Sequence, residues 1–205
     1  MILSFVLTII LFVCVAMLVR EGLWSNAITL FNAIFAGLLA TSLWEPVAGW
    51  LDDQFPRGTY VWDFVALWVV FCASAALLRA LTDLVSRTRV RFKKPVEWTG
   101  GIILALAVGW VMVCFVSMTL HTAPLAQQFM RGNFYDVPED NIFWGIAAPD
   151  RQWLGLIQQV SRATLSGPSA AGGGTRNVFD PQGQFIPQYA KRRAEYEQVK
   201  GIIME

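Results

Sequence analysis

The chain has 205 residues, of which 55% are hydrophobic and only 15% charged, with a net charge of +1. Soluble domains carry charge on roughly a quarter of their residues, so this composition excludes an ordinary water-soluble enzyme or binding domain. A balance so close to neutral gives no footprint for nucleic acid, and what informs is where the charges sit.

Ile2–Val19 is an uninterrupted apolar run, long enough to cross a hydrocarbon core about 30 Å thick. A cleaved leader would want basic residues before the run and a small-x-small site after it. Neither is present, because the exit is Met17-Leu18-Val19-Arg20. Leu11-Phe12-Val13-Cys14 approaches a lipoprotein box but has Val13 where a small residue is needed. The run is therefore expected to be a retained span.

Arg20-Glu21-Gly22 predicts a short turn, and Trp24–Trp44 a second span. Ala33 with Gly37, and Ala36 with Ala40, place small residues four apart, which lets helix backbones approach within a membrane. Asn32, deep in this span, is expected to hydrogen-bond to a neighbouring helix. Glu45-Pro46 should end the helix or restart it as a short amphipathic piece, Val47–Leu51. Asp52 to Tyr60 reads as a polar loop with Pro56 and Gly58 as its turn residues. Val61–Leu81 is the third expected span, with Asp63 near its entry and Arg79 near its exit. Arg79 can extend its guanidinium towards the head groups. Trp24, Trp44, Trp62 and Trp98 all fall at ends of apolar segments, as in an interfacial belt.

A basic run follows, made of Arg87, Arg89, Arg91, Lys93 and Lys94, and then the breaker Pro95. Thr99–Leu120 is the fourth expected span, and its Gly101, Ala105 and Gly109 form a helix-packing line. The loop 83–98 carries five basic residues against Asp83 and Glu97, whereas the loop 45–63 carries Arg57 against Glu45, Asp52, Asp53 and Asp63. Lysine and arginine beside spans are retained in the cytoplasm. Loop 83–98 is thus expected inside, and the amino terminus, loop 45–63 and everything after Leu120 outside. The basic run also offers a contact for anionic lipid; a docking site for a cytoplasmic protein is the competing reading.

Residues 121–205 hold eight basic and eight acidic side chains. Pro149-Asp150 looks like a helix start, and Trp153, Leu156, Ile157 and Val160 recur at helical spacing, a face suited to the membrane surface or to a tail fold. Residues 166–175, with three consecutive glycines, read as a flexible linker. Phe179-Asp180-Pro181-Gln182-Gly183 reads as a turn, and Gln188–Lys200 as a charged helix with Lys191–Glu195 and Arg193–Glu197 pairs.

Chemistry is sparse. His121 is the only histidine, so no His-based metal cluster or Ser-His-Asp arrangement is expected within one subunit. It is expected to be an interfacial polar residue at the end of the fourth span. Asp136, Glu139 and Asp140 form an acidic knot without calcium-hand spacing. The three cysteines (Cys14, Cys72 and Cys114) all lie in apolar segments and read as small buried hydrophobes. No catalytic, cofactor-binding or metal residue is assigned, and no cofactor is expected.

The order of features resembles the colicin V production protein (CvpA-like) family over residues 1 to about 120. The likeness rests on the Arg20-Glu21-Gly22 turn, a second helix running into Trp44-Glu45-Pro46, and a third helix leaving through basic residues. Glu97 then precedes the glycine-spaced fourth helix with Gly100, Gly101 and Gly109. The chain departs from the family pattern in lacking an early Asn or Asp in the first helix and in having Glu97 where Asp is commoner. The resemblance implies a four-span bacterial inner-membrane protein associated with toxin export and envelope homeostasis. The expected fold is an all-α integral membrane protein, with four transmembrane helices (spans about 2–19, 24–44, 61–81 and 99–120) and a partly helical extracytoplasmic tail. The expected role is a non-enzymatic structural or accessory component of an envelope or export assembly; the alternative is a small transporter or channel subunit. The expected partners are the lipid bilayer and other membrane subunits or further copies of the chain, and not nucleic acid.

Overall fold

A computed structural model describes residues 2–86, 93–125, 141–163 and 179–204. Among these are six α-helices and no strand: α1 (Ile2–Leu18), α2 (Leu23–Gln54), α3 (Trp62–Val85), α4 (Lys94–Thr122), α5 (Pro149–Ala163) and α6 (Phe185–Met204). A single 3-10 turn, Pro56–Gly58, joins α2 to α3. Helices α2, α3 and α4 are long and apolar enough to cross a membrane, while α1 is equally apolar but shorter. Its 17 residues span about 25 Å at 1.5 Å per residue.

Helix α4 is central, packing against α1 on one side, α2 on another, and α5. Helices α2 and α3 form an extensive antiparallel pair. Leu3 and Leu7 of α1 are buried with Val113 of α4, while Phe5, Ile9, Phe12 and Met17 project outward from the bundle. The turn between α1 and α2 depends on Gly22, whose φ of +87° is a left-handed conformation that a side chain would strain. The side-chain amide of Asn26 locks this end, donating to the carbonyls of Leu18 and of Gly101 at 3.0 and 2.9 Å. Asn32 donates to Thr82 Oγ1 on α3 at 3.0 Å, an interhelical bond of the kind its depth suggests.

The sequence placed a break at Glu45-Pro46, but α2 runs through Pro46 to Gln54. Proline withholds an N–H and crowds the preceding turn, at a cost of about 3 kcal/mol. Here Trp44 and Ala48, on either side of it, are both buried in the main core, and their packing holds the helix together across the proline. Pro95 is likewise no breaker. It sits in the first turn of α4, where a missing N–H costs no helical hydrogen bond.

The apolar face of the tail's first helix is covered within the protein. Helix α5 lays Trp153 and Ile157 into the core formed by Ala36, Ala40, Phe115 and Met118, so its apolar face is covered by the bundle itself. Helix α6 adds Phe185, Ile186 and Tyr189 to the same core. Its start is capped as the turn chemistry suggests. Asp180 Oδ1 accepts from the backbone N–H of Gln184 at 2.7 Å, and Oδ2 from that of Phe185 at 2.9 Å. Arg87, Arg89, Arg91, the acidic knot and the linker 166–175 lie outside the described residues.

Candidate functional site where the tail meets the bundle

The beginnings of α1 and α3 and the ends of α2 and α4 lie at one end of the bundle, and two side-chain pairs buried there help to hold the tail. The first is built on Asp63 in the opening turn of α3, where the positive end of the helix dipole favours a carboxylate. Asp63 is buried, and its Oδ2 accepts from Tyr189 Oη at 3.0 Å and from Arg192 Nη1. Arg192 Nη2 also donates to the Thr59 carbonyl at 2.8 Å, and Thr59 Oγ1 donates to Asp52 Oδ1 at 2.6 Å. The guanidinium lies 5.9 Å from the ring centre of Tyr60 and 6.0 Å from that of Tyr189. Burial raises the pKa of Tyr189 above the ordinary tyrosine value, and the charge of Asp63 and the bond to it push the same way against the opposing pull of Arg192.

The second contact pairs His121, in the last turn of α4, with Asp150 in the first turn of α5. His121 Nε2 lies 3.0 Å from Asp150 Oδ2, and both residues are almost wholly buried. Each stands at the helix end whose dipole suits it. His121 is thus buried and paired within the protein at the end of α4.

Beyond these contacts α5 reaches down the side of the bundle. Gln152 Oε1 accepts from Trp110 Nε1 at 2.9 Å, although Trp110 lies about 18 Å along α4 from its end at Thr122. The Trp153 ring fills the space beside Gly37 and meets Phe115 edge-on at 5.5 Å, and Phe115 stacks on Phe71 at 4.4 Å. One aromatic file therefore runs from α5 through α4 to α3. Cavities open beside the docked tail. One of about 680 Å³ lies between the second half of α2 and the helices α5 and α6. Another, about 330 Å³, is bordered by Trp44, Asp52, Asp63 and Arg192.

Of the packing residues expected from sequence, Gly37 faces Trp153 and Ala105 is fully buried. Gly101 lies against the backbone of Gly22 and Leu23, and Gly109 against Leu11 and Cys14 of α1. Ala33 is half-buried. Lys93 and Lys94 are exposed at the opposite end from the tail. The tail contacts escaped the sequence reading, because Asp63, Asp150, Tyr189 and Arg192 are far apart in the chain. Their only signal was an acid at the mouth of a span and an Arg192-Arg193 pair in a helix that also carries aromatics.

Among the described residues no group of three or more metal-ligating side chains converges. Both buried carboxylates face a basic side chain, an arrangement suited to holding helices together. What the fold and this site define is a helical membrane protein whose tail is clamped back onto its own bundle. By sequence it belongs to the Colicin V production protein family, whose profile matches residues 3–135. That stretch contains α1 to α4 and leaves α5 and α6 outside. No curated protein and no solved structure matches the chain.

Proposed function

We propose that this is a four-span protein of the bacterial inner membrane, with its basic end in the cytoplasm and both termini outside. It acts there as a non-enzymatic, structural or accessory component of an envelope or export assembly. The observation that carries the reading is how the bundle uses its polar groups. Asn26 and Asn32 bond to neighbouring helices, and Ser117 and Thr119 bond within their own helix. A transport path needs polar groups converging on water between spans, whereas these are turned to helix packing. The outward faces carry Phe31, Phe35, Val69, Leu77 and Ile103, which suit lipid or another apolar helix. The family's association with colicin V production supports the export setting.

The protein purified from membranes in mild detergent should run, by native mass spectrometry, as an assembly heavier than one 22.9 kDa chain. Reconstituted alone in liposomes, it should leave ion and solute permeability unchanged. A monomer that conducts or transports would overturn the reading in favour of a small transporter or channel subunit.

A further inference from the structure

We infer that the 680 Å³ cavity between α2, α5 and α6 binds a membrane amphiphile through an acyl chain and a protonated amine headgroup. The inference rests on the proposal above that α2 crosses the membrane. On that reading Glu45, beside Trp44, stands at the tail-side interface, and Leu38 lies two turns deeper, about 10 Å into the leaflet. The lining changes character accordingly. Leu38, Ile157 and Phe185 supply apolar wall, the last two buried, while Glu45 and Gln188 are exposed at the rim. The volume falls in the range of small-molecule sites, about 300–1,000 Å³.

The polar groups select the headgroup. Among the described residues no basic side chain lines the cavity, whereas two carboxylates, Glu45 and Asp180, do. Asp180 already accepts two backbone N–H groups at the start of α6. Glu45 has no hydrogen-bond or ion-pair partner among the described residues, so it is the group left to meet a cation. The hydroxyls nearby have their protons committed: Thr41 donates to the Gly37 carbonyl and Ser42 to the Leu38 carbonyl. What they still offer is lone pairs. Apart from the Gln188 amide, the rim offers acceptors with negative charge, which suits an ammonium, with three donors and no acceptor, better than an anionic headgroup.

The test uses the full chain in detergent, titrated with phosphatidylethanolamine or with phosphatidylglycerol of the same acyl chains. Both carry a phosphate, but one bears an ammonium where the other bears the hydroxyls of glycerol, and bound lipid is counted by native mass spectrometry. The wild type should retain one phosphatidylethanolamine with roughly five-fold preference, the worth of a solvated charge pair. Glu45→Lys, at an exposed position, should reverse the preference, and Leu38→Trp should reduce retention of both lipids by filling the cavity. Equal retention of the two lipids by the wild type, or a preference unmoved by Glu45→Lys, would overturn the inference. A cysteine at position 45 labelled from the outer side, together with no headgroup preference, would sink the amphiphile site while leaving the membrane reading intact. A cysteine there labelled only from the cytoplasmic side would overturn the proposed orientation, with α2 still crossing the membrane, and the headgroup preference would then decide the site by itself.

Discussion

At the scale of single residues, small side chains of the same type do different jobs in this bundle. A Cβ built on Gly37 would fall 2.5 Å from two ring carbons of Trp153, a rigid side chain that is itself buried. The same atom on Gly49, in the same helix, would meet nothing within 4 Å. Gly37→Ala should therefore cost about 1–3 kcal/mol through overpacking, while Gly49→Ala should gain up to about 1 kcal/mol of helix propensity. The line on α4 divides likewise. At Gly101 the nearest atoms are backbone at 3.6 Å, an ordinary contact, whereas at Gly109 the added atom would lie 2.8 Å from Leu11 Cδ1 with the Leu11 carbonyl behind it at 3.3 Å. Gly101→Ala should be near neutral and Gly109→Ala destabilising. Thermal unfolding of the four variants in detergent measures this. A Gly37→Ala variant as stable as Gly49→Ala would mean that Trp153 does not occupy that space. Four-residue spacing made these positions visible in the sequence, but spacing carries no information on which neighbour arrives. The partner of Gly37 is more than a hundred residues away in a tail helix, and only the tertiary structure supplies it.

At the scale of elements, the four apolar helices were legible because each contains a long uncharged run. Their ends were less so, since Trp44 and Ala48 carry α2 through a proline that local rules treat as a stop. The periodicity of α5 predicted its apolar face correctly but not what that face covers. Helix α6 was seen as a charged helix, yet Tyr189, Arg192 and Arg193 belong to its inward side, Arg193 being almost wholly buried. Its docking should depend on pH in a defined direction. The pKa of Tyr189 is raised in the docked state, whereas undocked it would titrate near 10. The stability it contributes is therefore complete below about pH 10. It falls above that by about 1.4 kcal/mol per pH unit, because the undocked state releases a proton that the docked state keeps. Tyr189→Phe should cost about 1 kcal/mol at neutral pH for the lost bond to Asp63 and should remove that part of the alkaline loss. Limited proteolysis of the tail from pH 7 to 11 would follow it. Identical pH profiles for wild type and variant would show that Tyr189 is not buried against Asp63.

At the scale of the whole molecule, the bundle has two chemically distinct ends. One gathers Asp63, His121 and the docked tail; the other gathers the α1–α2 turn, Glu97, Lys93 and Lys94. The fold fixes which segments share an end, and the charges alone propose which end faces the cytoplasm. Helix α1, the shortest of the apolar helices, is tied into this scheme by its partners. Ser4 Oγ donates to the Ile142 carbonyl at 2.9 Å, and Trp144 Nε1 donates to Thr8 Oγ1 at 2.9 Å, so the start of α1 lies at the tail's end of the bundle. If the tail is outside, residue 2 must be outside as well. With Cys14, Cys72 and Cys114 replaced, single cysteines at Ile2, Asp53 and Gln182 should react with a membrane-impermeant maleimide on intact spheroplasts. A cysteine at Lys93 should react only after permeabilisation. All four positions are exposed or at the edge of the fold, so protection there reports the membrane and not the protein interior. The reverse pattern would invert the protein. A reactive Gln182 with a protected Ile2 would instead mean that α1 does not cross, and the packing of α1 along α4 would have to be abandoned with it.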